Sequence, residues 1–209
     1  VAIALSMAVL LFWGAFFETP RQVKENQTLS NVQTNQNETQ SDITPNINQE
    51  RVIKKISRKD ALTENDRVII ENDKVIGSIS LKGAIFDDLS FKNYKKDLES
   101  EENVVLLNPK DIEDGYFIES GWASVGNEVK VPGVDSLWQV KGNRVLSEKN
   151  DVVLEWNNGK GLIFKKIIKL DKKYLFKIKQ EVKNNTSSKI NLYPYSQITR
   201  NKKPDDVMG

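Results

Sequence analysis

The acidic side chains of this 209-residue chain include four adjacent pairs, at Asp87-Asp88, Glu101-Glu102, Glu113-Asp114 and Asp205-Asp206. Glycoside hydrolysis needs two carboxyls facing each other across one bond, roughly 5 to 9.5 Å apart. Neighbours on an extended strand point to opposite faces, so adjacency argues against shared duty, and all four pairs are expected in turns and on the surface. A second constellation is basic. Lys165, Lys169, Lys177, Lys179 and Lys183 could form a stripe for anionic headgroups or an acidic partner, but a solvated strand face whose charges discourage edge pairing explains them as well. Gly83, Gly115, Gly121 and Gly133 have no phosphate-loop spacing. Trp122, Trp138 and Trp156 lie in or beside strands, where a large ring usually packs in the core; a sugar-stacking platform is the alternative use.

What is missing narrows the chemistry further. The chain has no cysteine, which removes disulfides, thiolate nucleophiles and thiolate metal sites together. It has no histidine either, the commonest general acid or base and the commonest metal ligand. The expectation is a protein that acts by contact and is not an enzyme, with no catalytic residue, no metal site and no cofactor. Charged residues make up 29% of the chain, yet the net charge is only +2. No basic field gathers nucleic acid, so no nucleic-acid partner is expected.

The elements that position these residues read as strands. Short β-type runs broken by turn residues occur at Val68 to Glu71, Val75 to Ser80, Val104 to Leu107, Tyr116 to Trp122 and Ser136 to Val140. They continue at Val152 to Trp156, Gly161 to Leu170, Tyr174 to Lys183 and Ile190 to Gln197, with no long amphipathic helix competing. In YLFKIKQEVK, Tyr174, Phe176, Ile178 and Val182 share one face and Lys177, Lys179, Glu181 and Lys183 the other, so one side is core and one is wet. GLIFKKIIKL puts Leu162, Phe164, Ile168 and Leu170 on one face and joins its neighbour through Asp171-Lys172-Lys173 as a hairpin. With turns at Asn157-Asn158-Gly159 and Asn184-Asn185, four consecutive antiparallel strands are expected from Val152 to Gln197. Many short strands at this spacing predict a sandwich or barrel.

The first residues are of another kind. Val1 to Phe17 carries no charge, and seventeen residues of helix span roughly 25 Å, close to a hydrocarbon core. A buried core helix would show a polar stripe, which the run lacks. The exit Phe16-Phe17-Glu18-Thr19-Pro20 is too bulky for signal cleavage, so an uncleaved anchor is expected. Phe12, Trp13, Phe16 and Phe17 suit the headgroup boundary. Arg21 and Lys24 alone would place the following side in the cytoplasm, but the upstream flank is missing and the charge rule leaves orientation open. Val1 in place of an initiator methionine leads us to expect a fragment. Between Gln22 and Glu50, 18 of 29 residues are Asn, Gln, Thr or Ser, a composition that cannot bury enough apolar surface to offset its ordering entropy. The expected organisation is a transmembrane helix over 1–17, a flexible polar linker over 18–56 and a β-sandwich domain over 57–209.

Several segments in order carry a resemblance: IALSMAVLLFW, SISLKGAIFDDLSFKNYKKDL, NVVLLNP, GYFIESGW and KGLIFKKIIKLDKKYLFKIKQEVKNNTSSKINLYPYSQITR. Together they resemble the N-terminal region of the YidC family of bacterial membrane protein insertases, over nearly the whole chain, with the linker matching only in character. The resemblance implies a mainly β fold: one N-terminal transmembrane helix, then an antiparallel β-supersandwich of the aldose-epimerase type, here truncated at its C-terminal side. It implies a cytoplasmic N-terminus and an inner-membrane location with the bulk of the chain in the periplasm, which settles the orientation. It implies a function in inserting and folding integral membrane proteins, alone or with the Sec translocon, in which this region anchors and scaffolds. The implied partners are nascent membrane proteins, the lipid bilayer, and the translocon with its accessory subunits. The family's substrate groove lies in later helices that this sequence does not contain, so no groove residue maps onto it. The alternative from another class is a periplasmic carbohydrate-binding module on the same sandwich. Epimerases of that fold use a histidine with a carboxylate, so binding survives as an alternative and catalysis does not.

Overall fold

The computed structural model describes residues 53–125 and 129–203. The expected anchor, most of the expected linker and the pair Asp205-Asp206 lie outside them. Among the described residues no helix is long and apolar enough to cross a membrane.

A short helix, α1 (Arg58–Thr63), opens the described chain. Ser57 caps it: its Oγ accepts from the Asp60 N–H (3.1 Å) and donates to the Asp60 carboxylate (2.7 Å). Six residues do not hold a helix in water by themselves, and the anchoring contacts come from Arg58, described below. The strands that follow are β1 (Arg67–Glu71), β2 (Val75–Ser80), β3 (Ile85–Lys95), β4 (Asn103–Leu107), β5 (Tyr116–Ser124) and β6 (Gln139–Lys141). They continue with β7 (Val145–Leu146), β8 (Val152–Asn157), β9 (Leu162–Leu170), β10 (Phe176–Asn184) and β11 (Leu192–Arg200).

These strands make two sheets. The first runs β11-β5-β3-β2-β1-β7, with β4 paired to β3 beyond the point where β5 meets it; the second runs β10-β9-β8-β6. All pairings are antiparallel except β1 with β7. The inward residues of both sheets interdigitate in one core: Val68, Ile70, Val75 and Ile79 from the first meet Val152, Leu154, Phe164 and Ile168 from the second, all fully buried. Each such side chain contributes about 1.5–3 kcal/mol of transfer free energy. The fold is mainly β, two packed antiparallel sheets, as period-two alternation predicts.

Three differences from the sequence expectation have physical causes. First, Ile85–Lys95 is an eleven-residue strand at the centre of the first sheet, although no strand is expected there. Its alternation is broken by a β-bulge: Ser78 pairs with Asp88 and Ile79 with Phe86, leaving Asp87 as the extra residue. Phe86 and Leu89 therefore both face the core while Asp87 and Asp88 share the opposite side, an in-out-out-in pattern that period-two counting rejects. Second, β8, β9 and β10 pair in sequence, but β11 crosses to the other sheet and pairs along its length with β5. Alternation specifies which face is buried and carries no information about which strand is the neighbour. Third, the expected strand Ser136 to Val140 is reduced to Gln139–Lys141, and the two-residue β7 is too short to leave a pattern.

Candidate functional site

The bulge assembles a buried charge network from residues far apart in sequence. Arg67, from the start of β1, pairs with Asp87 and donates from Nε to Ser78 Oγ (2.7 Å). Ser78 Oγ donates to Asp88 Oδ2 (2.6 Å), and Asp88 pairs with Arg58 of α1, whose Nε donates to Asn108 Oδ1 (3.0 Å). Asp87 and Asp88 are 4% and 8% exposed, which overturns their expected place among the turn and surface acids. Burial pushes the Asp87 carboxyl up from its ordinary value, and the Arg67 guanidinium pulls it back. With both carboxylates held by arginines, the pair clamps α1 and two strands together. Of the other acid pairs, Glu101-Glu102 and Glu113-Asp114 are exposed, as expected.

Between the sheets lies a residue that strand patterning passes over. Lys166 occupies the inward phase of β9 between Phe164 and Ile168 and is 1% exposed. Its ammonium crosses the interface, donating to Ser120 O of β5 (2.6 Å) and to Ala84 O (3.3 Å), and sits 5.1 Å from the centre of the Trp138 ring. Burial drives its pKa down to about 7, opposed by the negative charge of Glu119. Gln180 of β10 makes a neighbouring bridge, from Nε2 to Gly121 O (2.9 Å). Lys166 and Gln180 thus bolt the second sheet to adjacent carbonyls of β5. The sequence did carry a signal: Leu162, Phe164, Ile168 and Leu170 share one face, and the residue in the gap of that series is a lysine.

The outward face of the second sheet carries the expected basic stripe. Lys165 pairs with Glu155 (3.1 Å), Lys141 approaches the same carboxylate (3.7 Å), Lys169 pairs with Asp151 and Lys179 with Glu181. Lys177 stands opposite Lys169 across the ladder and Lys183 opposite Ile163; both are exposed and carry no ion pair among the described residues. Half-buried Val153, Ile163 and Ile167 lie between the charges. The stripe is therefore a mixed-charge surface with a basic excess along β10. Trp122 and Trp138 are buried and stacked at 6.4 Å, with Phe164 against Trp122 at 5.1 Å. These rings are core, and neither offers a face to a sugar. Among the described residues no group of His, Cys, Asp or Glu is arranged to hold a metal ion.

Two packed antiparallel sheets, tied to each other and to α1 by buried charges and presenting a wet face of ion pairs interleaved with aliphatic side chains, define a β-sandwich domain. Residues 67–208 match the family model of the YidC periplasmic domain, and the chain belongs to that family. Its relatives include the membrane protein insertase YidC of Pelagibacter ubique, 42% identical over 98% of this chain and 36% of the relative. The proteins of the same name from Methylorubrum extorquens and Cereibacter sphaeroides are 37% and 32% identical, each over 98% of this chain. The chain spans about a third of the length of these relatives.

Proposed function

We propose that this chain is the N-terminal region of a bacterial membrane protein insertase, in which it anchors and scaffolds. Residues 1–17 cross the inner membrane, 18–56 tether, and the sandwich from 57 onward stands in the periplasm as part of a supersandwich of the aldose-epimerase type. The observation that carries this reading is the alignment of 98% of the chain with proteins named membrane protein insertase. That alignment takes in the apolar N-terminal run as well as the sandwich. Insertion moves apolar segments into lipid, a downhill transfer, so the machine need only lower the barrier for polar groups, whose cost in hydrocarbon is high. In this reading that work falls to the two thirds of the relatives' length that this chain does not span. The part of this region is contact, with nascent membrane proteins and with the Sec translocon.

The contact face we assign is the β9–β10 surface, because Lys177 and Lys183 are exposed cations that carry no ion pair among the described residues and stand beside half-buried aliphatic side chains. In the complete protein, replacing Lys177, Lys179 and Lys183 by glutamate leaves the fold intact and weakens crosslinking to translocon subunits. Unchanged crosslinking would place the docking face elsewhere. Protease added to intact spheroplasts tests the topology: cleavage within 53–203 is expected, and full protection would contradict a periplasmic location.

A further inference from the structure

The strand β4 is paired on one side only. It meets β3 through Leu107, Val105 and Asn103, and among the described residues no second strand lies along Asn103–Leu107. In an antiparallel ladder alternate residues turn their N–H and C=O groups away from the partner, so this edge presents a row of unused backbone donors and acceptors. A groove of about 1050 Å³ runs beside it. One wall is Glu102, Asn103, Val104 and Val105, and the other is the irregular segment 54–57 with Arg58 at its end. Successive side chains of a strand point to opposite faces. A groove touched by four consecutive residues therefore follows the edge of the strand and not one of its faces.

We propose that this groove receives an extended polypeptide segment of a partner protein, which adds as a strand to the free edge of β4 and sets a basic side chain against Glu113 and Asp114. Three observations select this occupant, and none depends on the insertase reading. Asn103, half-buried, lines the groove, and its Oδ1 is buried behind that lining with no hydrogen-bond donor. Such groups are rare in native proteins, and a turn of the Asn103 side chain toward the groove would let this one accept a backbone N–H of an added strand. The charges are complementary to a peptide carrying a cation. Of the groove cations, Lys54, Arg58 and Lys96 are engaged internally with Glu64 (2.5 Å), Asp88 and Glu102 (3.4 Å), and Lys55 is exposed without an ion pair among the described residues, so the two unpaired acids outnumber the one unpaired cation. Glu113 and Asp114 are exposed at the far end and carry no ion pair among the described residues. Val105 and Leu106 are 43% and 37% exposed, giving aliphatic contacts for side chains of an incoming strand. Main-chain pairing then supplies affinity and the acidic end supplies preference. At about 3.3 Å per residue the five-residue edge of β4 accommodates a segment of roughly five to seven residues.

The test uses the complete protein in detergent micelles and a fluorescein-labelled peptide, Thr-Val-Thr-Val-Lys-Val-Thr. Its partner probe has the same side chains with every second backbone nitrogen methylated. Anisotropy and amide chemical shifts are expected to report binding of the unmodified peptide, with shifts confined to 54–58 and 102–106. Backbone methylation should weaken it at least tenfold. The double substitution Glu113→Lys and Asp114→Lys should weaken the lysine peptide severalfold and favour its glutamate counterpart. Equal binding of methylated and unmethylated peptides would overturn strand addition, and shifts concentrated elsewhere would overturn the site. Hydrogen-exchange protection of Val104 and Leu106 as strong as that of β9 in the peptide-free chain would show the edge already covered by this chain's own residues, and would overturn a partner as occupant.

Discussion

Replacing Lys166 by methionine separates two roles of the buried amine, its hydrogen bonds and its charge. In the folded chain the amine titrates near 7, against an ordinary value of 10.5 in the unfolded chain. Between those two values the unfolded state binds the extra proton, so stability rises with pH across the window by about 1.4 kcal/mol per unit. Below pH 7 both states are charged and the folded state carries the full cost of burying the ammonium, about 5 kcal/mol. Methionine, similar in length and apolar, removes that cost. It also leaves the Ser120 carbonyl, now 2.6 Å from Nζ, without its donor, a loss of about 1–3 kcal/mol. The variant should therefore be more stable than the parent at pH 6, by about 2 kcal/mol or more. Between pH 7 and pH 10 the parent should gain about 4 kcal/mol relative to the variant, enough to offset or reverse that advantage. Urea titrations followed by fluorescence, with Trp122 and Trp138 in the adjoining core as reporters, measure both curves. All other titrating groups are common to the two proteins and cancel in the difference. Parallel stability profiles across pH 7 to 10 would mean instead that Lys166 keeps an ordinary pKa when folded.

The bulge network gives two further expectations. Arg67→Ala leaves Asp87 buried without its cation and should cost about 3–5 kcal/mol in urea unfolding. Arg58→Ala, at a guanidinium one-third exposed, should cost less, about 1–2 kcal/mol after solvent screening, while loosening α1 as read by amide exchange. Gly77→Ala should destabilise more than a surface glycine substitution, because its Cβ would fall 2.1 Å from the Asp88 carbonyl oxygen across the bulge; a melting temperature equal to the parent's would contradict that packing. Residues 57–209 alone should associate in solution, since β10 and β11 are unpaired edges among the described residues and Tyr193 and Ile198 on β11 are 52% and 65% exposed. Sedimentation of a monomer with a sharp two-state melt would count against this.

How much of this was legible in the sequence differs by element. The β9–β10 hairpin was, because its apolar residues recur with period two at all but the Lys166 and Gln180 positions, and Leu162, Phe164, Ile168 and Leu170 are buried as the pattern requires. The turn residues were legible too: Asn158 Oδ1 accepts from the N–H groups of Lys160 (2.7 Å) and Leu162 (3.0 Å), and Asp171 Oδ1 from those of Lys173 (2.7 Å) and Leu175 (3.0 Å). The central strand β3 was hidden by its own bulge, since an extra residue shifts the phase and brings adjacent aspartates to one side. The arginines that neutralise them lie 20 and 30 residues away, a separation at which spacing rules say nothing. Lys166 was hidden differently. It interrupts a series of core residues, and only the positions of the Ser120 and Ala84 carbonyls on the other sheet explain how a lysine can occupy that slot. The crossing of β11 to β5 followed from no local feature.

Complementation separates the proposed anchoring and contact role of this region from insertion itself. Cells depleted of their own insertase would receive either the complete protein or residues 1–209, with membrane insertion of a labelled substrate and growth as readouts. The complete protein is expected to restore both and residues 1–209 neither, because one apolar segment and a β-sandwich do not supply the several spanning elements needed to enclose a polar path through hydrocarbon. Insertion restored by residues 1–209 alone would contradict that separation.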